Sequence, residues 1–469
     1  MAKMAKNLHV MILPWSAFGH LIPFFQLSIA LAKAGVSVSF VSTPNNIRRL
    51  PKIPQNLETL IKLVEIPLPT LESQSLPIGA EATVDLPSDK IDHLKIAYDL
   101  LQYPLKQYVM DQQLDWIIID VIPHWMVEIA VEMKIPLMHF SVYSASAYLF
   151  LCDPGCLAGD NMRTSWESMT SPAERINFPS SVAYRKHEAI GAFEGIYGTN
   201  ASGITDAERV AKILNSCQAI AIRSCTEFEI DSLNSFQKLM GKPVVPVGLL
   251  PLEKPKAREI TDGSWGEVFK WLDQQKTKSV VFVSFGSEFK LSQEQVYEIA
   301  YGLELSGLPF LWALRKPSWA NHGFDVLPSG FRERTSGKGV VSIGWAPQME
   351  ILGHRAIGGS LFHSGWGSII ETLQFGHSLV LLPFIIDQPL NARLLVEKEL
   401  GVEVERSEDG SFNRDGVANA LRLAMVSEEG KKLRAGASEA AQVFGNNNLH
   451  QDYYIEKFVE FLRNKDYQN

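Results

Sequence analysis

The sequence predicts an α/β protein of two doubly wound parallel-sheet domains facing a cleft. Three observations predict it. Strand-length apolar runs alternate with helix-length stretches, a Pro-interrupted charged segment follows Gly248, and the same alternation starts again beyond it. With 469 residues, 46% apolar and 20% charged, the chain has the size and composition of two folded domains rather than of a disordered, collagen-like or coiled-coil protein.

The run 8–13, a turn containing Gly19, a helical stretch to Ala34, the stop Gly35 and the run 36–42 make a strand–helix–strand unit with both strands buried. Further strands are read at 116–119, 137–141 and 219–223, with a helix over 126–133. The stretch after Gly248 has little to bury, so the first domain is placed at 1–248 and a linker at 249–264. The second domain, 265–448, opens with a strand over 279–285 and a helix announced by the capping pair Ser292 and Gln295. Strands over 310–314, 340–343, 360–362 and 379–382 follow, with helices near 368–375 and 391–400. The final segment, 449–469, spaces Tyr453, Ile455, Phe458, Val459, Phe461 and Leu462 helically and is expected to pack its apolar face back on the first domain.

The 44 Lys and Arg are scattered and outnumbered by 52 Asp and Glu, which argues against a nucleic-acid partner. Cys152, Cys156, Cys217 and Cys225 are too few and too uneven for a disulfide scaffold, so a reducing, cytoplasmic location is expected. Two lysines and a short apolar run at the N-terminus lead into Pro14 without a small-residue cleavage site, and read as a strand. No membrane span is expected: residues 129–152 are interrupted by Glu132, Lys134, Pro136 and His139. No metal-ligand spacing stands out, and a monomer is expected.

In this architecture ligands bind at the carboxyl ends of the strands. Gly365, Gly367 and Ser368 lie between a buried strand and a helix, where N–H groups and the helix dipole favour a phosphate; a plain tight turn is the alternative. Trp345 and Gln348 follow another strand and suit a planar base, although a half-buried Trp is as good a reading. Glu371, on the first turn of the same helix, can accept hydrogen bonds from ribose hydroxyls or cap Ser368. Asp387 and Gln388 at a strand end read as sugar-hydroxyl ligands, or Asp387 as a helix N-cap.

Over residues 345–388 the pattern WAPQ…H…G…FHSGWGS..E….G….LPF..DQ resembles the signature box of plant UDP-dependent glycosyltransferases, and Gly19-His20-Leu-Ile-Pro23 resembles their GHxxP. The likeness covers essentially the whole chain and is greatest to the branch that adds a sugar to an existing sugar. It implies the glycosyltransferase B fold, with two Rossmann-like domains, and a UDP-sugar (UDP-glucose or UDP-rhamnose) as co-substrate with no permanent cofactor or metal. By that resemblance Trp345 and Ala346 hold uracil, Gln348 and Glu371 the ribose, and His363, Gly365, Gly367 and Ser368 the diphosphate. Ser287 and Gly19 are further donor contacts, and Asp387 and Gln388 bind the sugar. His20, which read alone is more often structural, becomes the base that deprotonates the acceptor, and Asp120, otherwise a helix N-cap, its partner. His124 is the rival base. Two departures stand out: Gly367 replaces the family's usual Asn, and Ile385 replaces a frequent aromatic residue.

Trp15, Phe18, Trp125, Phe140, Tyr143 and Phe193 are expected to line a pocket for a flat, apolar small-molecule acceptor, though part of such a set is ordinarily core. The implied reaction is inverting transfer to a hydroxyl of a terpenoid, steroid or flavonoid glycoside, or directly to an aglycone. A nicotinamide-dependent oxidoreductase is disfavoured because no GxGxxG follows the first strand and no acidic residue ends the second. A non-catalytic binder is disfavoured by the presence of both His20 and Asp120.

Overall fold

The computed structural model describes residues 8–71, 76–159, 161–173, 175–254, 263–286, 288–317, 319–320 and 326–464. Most strands of the two parallel sheets are hidden on both faces. The first contains β1 (His9–Leu13), β2 (Ser37–Ser42), β3 (Ile61–Glu65), β4 (Trp116–Ile119), β5 (Leu137–Ser141), β6 (Ala219–Ile222) and β7 (Val244–Pro246) in the order β3-β2-β1-β4-β5-β6-β7. The second contains β8 (Val280–Ser284), β9 (Phe310–Leu314), β10 (Gly339–Ile343), β11 (Ile357–Phe362), β12 (Ser378–Leu381) and β13 (Gly401–Glu403) in the order β10-β9-β8-β11-β12-β13.

Each order reverses once, between β1 and β4 in the first sheet and between β8 and β11 in the second. At such a point neighbouring strands send their following segments to opposite sides, leaving a crevice at their carboxyl ends. In-register pairing of Leu13 with Ile119, and of Phe362 with Ser284, therefore brings two pairs of turns together. Those turns carry His20 and Asp120 in one sheet, and Gly286 and His363 in the other.

Three edge strands, β3, β7 and β13, lie outside the sequence-based reading. Exposed Lys62 and Glu65 break up the aliphatic signal of the first, and the other two have three residues each. Helices also form at Lys186–Tyr197 and Asp206–Ser216, the second opened by a Thr205–Glu208 capping box. The linker expected at 249–264 lies partly outside the described residues; Leu249 and Leu250 are buried, and a helix runs from Gly263 to Asp273.

After helix Lys431–Phe444 the chain passes through a π-helical turn, Asn448–Tyr454, into helix Ile455–Arg463. Ile455, Phe458, Val459 and Leu462 are buried with Val10, Phe24 and Trp116 of the first sheet's layer, and the Trp116 indole N–H donates to the Leu462 carbonyl at 2.9 Å. Each such buried apolar side chain contributes about 1.5–3 kcal/mol. The two halves also meet around the crevice, where Thr83 donates to Glu288 at 2.7 Å and the Ser144 hydroxyl to Asn391 at 2.7 Å. Among the described residues no helix is long and apolar enough to cross a membrane.

Candidate active site

His20 lies in the first turn of helix Phe18–Lys33, and Asp120 immediately follows β4. The Asp120 carboxylate is fully buried and contacts His20 Nδ1 with both oxygens, at 2.8 and 3.0 Å. It also accepts the backbone N–H of Trp15 at 2.9 Å and of Val121 at 2.7 Å. The next helix begins only at Met126, so Asp120 is not its cap. Nδ1 must carry the proton it shares with a carboxylate, which leaves Nε2 with a lone pair. Tyr143 stands 3.4 Å from that Nε2 through its hydroxyl. Burial opposes the imidazolium, but the charge and hydrogen bond of Asp120, helped by Asp387 and Glu288, outweigh it and raise His20 above its ordinary 6.5. His124 instead has Arg209 3.0 Å from its Nδ1, and its pKa is lowered by burial and by that cation, which ill suits a base.

Across the crevice, His363 follows β11 between two glycines that its ring requires. A Cβ at Gly286 would come within 2.8 Å of the His363 ring, as would one at Gly365, and Gly286 also holds φ at +66°. Burial takes His363 down to about 4, so it is neutral at physiological pH. Its Nδ1 and the Ser364 hydroxyl are buried without a hydrogen-bond partner among the described residues, at the threshold of helix Trp366–Leu373. Unpartnered donors beside a helix N-terminus form a receptive cradle for an anion. Gly367 and Ser368 occupy that first turn; Ser287 lies outside the described residues.

Gln348 and Glu371 come together, the amide donating to the carboxylate at 2.6 Å. Glu371 is thus turned to Gln348 rather than to capping Ser368. Trp345 is 78% exposed in the loop after β10, its indole face open for stacking, with Ala346 half-buried beside it. Asp387 occupies an N-cap position but caps nothing, because its Oδ2 accepts from Asn391 at 2.7 Å. Burial raises Asp387 to about 6, against the hydrogen bonds from Asn391 and its own backbone and the charge of His20. The Gln388 side-chain oxygen takes the N–H groups of Phe384 and Ile385 at 3.0 and 3.1 Å, leaving its NH2 as a donor.

A model of the family described as UDP-glucoronosyl and UDP-glucosyl transferase matches residues 264–434. The chain is 42% identical to UDP-glycosyltransferase 91A1 of Arabidopsis thaliana over 461 residues, covering 97% of each. It is also 42% identical to the soyasaponin III rhamnosyltransferase of Glycine max over 463 residues, 98% of this chain and 96% of that one. This chain is a plant UDP-dependent glycosyltransferase. In fold, this glycosyltransferase matches a Glycyrrhiza uralensis glycosyltransferase solved with glycyrrhetinic acid 3-O-monoglucuronide, at a TM-score of 0.80 and 23% identity over 98% of this chain and 96% of that one. It likewise matches an Arabidopsis thaliana glycosyltransferase solved with UDP-L-rhamnose, at a TM-score of 0.73 and 24% identity over 98% and 100%. The architecture is the glycosyltransferase B fold.

The aromatic residues expected around the acceptor divide. Phe140 is a correction: it is fully buried, because the pleat of β5 turns it to the same face as Met138, edge-on to Phe24 with centroids 4.8 Å apart. Trp15 and Trp125 are also core in this glycosyltransferase, both packed around Tyr98, with the Trp125 indole N–H on Asp99 at 3.2 Å. Tyr143 stays at the base. Phe18 opens the helix that carries His20 and lies under Arg49, and Phe193 stacks on Tyr197.

Sequence reasoning misses two residues of the enzyme's crevice. Asn391 donates to Asp387 and to the Ser364 carbonyl, at 3.1 Å, while accepting from Ser144 of the other half. Its signal is the four-residue helical spacing from Asp387. Arg223, one residue past β6, is buried beside helix Trp366–Leu373. Its signal is a cation ending an apolar strand at the ligand-binding edge.

Proposed function

We propose that this glycosyltransferase moves glucose or rhamnose from its UDP-sugar to a hydroxyl of a small-molecule glycoside, inverting the anomeric centre and extending an existing sugar chain. The observation that carries the reading is the pairing of His20 with Asp120 across the crevice from Asp387, whose charge His20 feels. His20 Nε2 takes the acceptor's hydroxyl proton as that oxygen attacks the anomeric carbon, and the imidazolium that forms is stabilised by Asp120. The acceptor hydroxyl takes the place at Nε2 that the Tyr143 hydroxyl approaches. The bond from the anomeric carbon to UDP breaks, and the negative charge growing on the diphosphate is met by His363, Ser364 and the N–H groups of helix Trp366–Leu373.

Trp345 and Ala346 receive the uracil, Gln348 and Glu371 the ribose hydroxyls, and Asp387 with the Gln388 amide the transferred sugar. No metal takes part in this scheme. The enzyme acts as a cytosolic monomer, with 1–248 carrying the acceptor and 265–448 the donor. Similarity to the soyasaponin III rhamnosyltransferase supports a glycosylated terpenoid-type acceptor.

Mass spectrometry tests the proposal. The purified protein is offered a panel of terpenoid, steroid and flavonoid glycosides with UDP-glucose or UDP-rhamnose in the presence of a chelator. A gain of one hexose or one deoxyhexose on a glycoside is expected; reaction with aglycones alone overturns the sugar-extending assignment, and silence under chelation overturns the metal-free scheme.

A further inference from the structure

Gly367 leaves an opening at the second residue of helix Trp366–Leu373. A Cβ built there would meet only the Nη1 nitrogen of Arg223, at 3.6 Å. Arg223 comes from the opposite half of the molecule, yet its carbonyl accepts the Trp366 indole N–H at 2.8 Å, which fixes it against the start of that helix.

The side chain is 2% exposed, and its contacts are lopsided. Nε donates to the Leu249 carbonyl at 2.8 Å, and Nη2 donates to Gln26 at 2.9 Å and to the Leu250 carbonyl at 3.2 Å. Nη1 makes no hydrogen bond among the described residues. A buried cation ordinarily has a carboxylate within ion-pair distance. Among the described residues Arg223 has none; Glu371, whose charge it feels, is hydrogen-bonded to Gln348 instead. Burial lowers the Arg223 pKa to about 10, so the guanidinium still carries its charge at neutral pH. The same corner holds the unpartnered His363 Nδ1 and Ser364 hydroxyl. Three polar groups without partners among the described residues thus gather at one helix N-terminus.

We propose that Arg223 binds the diphosphate of the UDP-sugar, its Nη1 reaching the phosphate oxygens through the space that Gly367 leaves open. The proposal rests on the reading that the 363–368 turn holds the diphosphate. An arginine from the acceptor-side half then neutralises charge on a leaving group held by the donor-side half, and the ligand's anion completes the contact between them.

Calorimetric titration of UDP, UMP and uridine into the wild type and three variants tests this. Arg223→Gln is expected to weaken UDP by about 10-fold or more, the loss of a charge-assisted contact, with uridine changed by less than about twofold. Gly367→Leu, whose apolar side chain fills the guanidinium's route without offering a donor of its own, is expected to give the same ranking, and the double variant to be little worse than either single one. His363→Gln reports on the turn itself. If Arg223→Gln is folded and binds UDP like the wild type, or loses uridine equally, the proposal is overturned; should that variant not fold, an unchanged UDP-to-uridine preference in Gly367→Leu overturns it. Loss of UDP in His363→Gln alone would leave the turn's assignment standing without Arg223, whereas no loss in any variant would remove both.

Discussion

Asp120 holds His20 Nδ1 with both carboxylate oxygens while two backbone N–H groups hold the carboxylate, so the imidazole has one orientation and turns its Nε2 to the Tyr143 hydroxyl at 3.4 Å. His20→Ala removes that nitrogen, and transfer is expected to fall by about 10²–10⁴-fold with UDP affinity unchanged. Steady-state kinetics with a calorimetric UDP titration checks both parts.

The pH profile follows from the same pair. The neutral imidazole is the base, so activity falls as pH drops through the His20 pKa. Because Asp120 raises that pKa above 6.5, the acid limb of kcat/KM is expected above 6.5 in the wild type, steepening as Asp387 protonates near 6. In Asp120→Asn burial is no longer offset by the charge, and the limb moves to lower pH while the rate falls. A limb that stays in place would show that another group titrates.

Trp345 is 78% exposed, so little of its side chain is packed. Trp345→Ala is expected to leave the melting temperature unchanged and to weaken UDP roughly 5- to 100-fold, the range of base-stacking losses. Paired thermal melts and UDP titrations separate the two.

In the proposed scheme Asp387 meets the sugar rather than the nucleotide. Asp387→Asn is expected to lower kcat/KM for the UDP-sugar by roughly 10- to 100-fold, with UDP itself binding as before. Comparing titrations of UDP with those of a non-transferable UDP-sugar analogue measures the difference.

Phe140 belongs to the core. Phe140→Ala is expected to cost about 3–5 kcal/mol of stability in denaturant titration without a selective rise in acceptor KM.

How much of this is legible in the chain depends on where each residue's partners lie. Strands such as β4 and β8 announce themselves because burial on both faces demands an unbroken aliphatic run, whereas β3 mixes Lys62 and Glu65 into its edge. His20, Asp120 and His363 are picked out through the resemblance to the family's motifs, and Asp387 by its place at a strand end. Arg223 is not, since its meaning comes from the absence of a side chain at Gly367, 144 positions along the chain in the other half. Phe140 misleads because an aromatic residue near a strand end looks like a pocket wall until the pleat assigns its face.

The return of the final helix to the first sheet means that the polypeptide passes between the halves twice, and the two passages touch. The Leu249 N–H donates to His450 Nδ1 at 3.2 Å, the other ring nitrogen meets the Val443 carbonyl at 2.9 Å, and Gly248, at φ +75°, has no room for a Cβ beside that ring. A body hung from one tether can swivel, but one hung from two adjacent tethers swings like a door on its jamb. A rotation of one half against the other is then confined to an axis along this seam, which keeps His20 in register with the Asp387 carboxylate whose charge it feels.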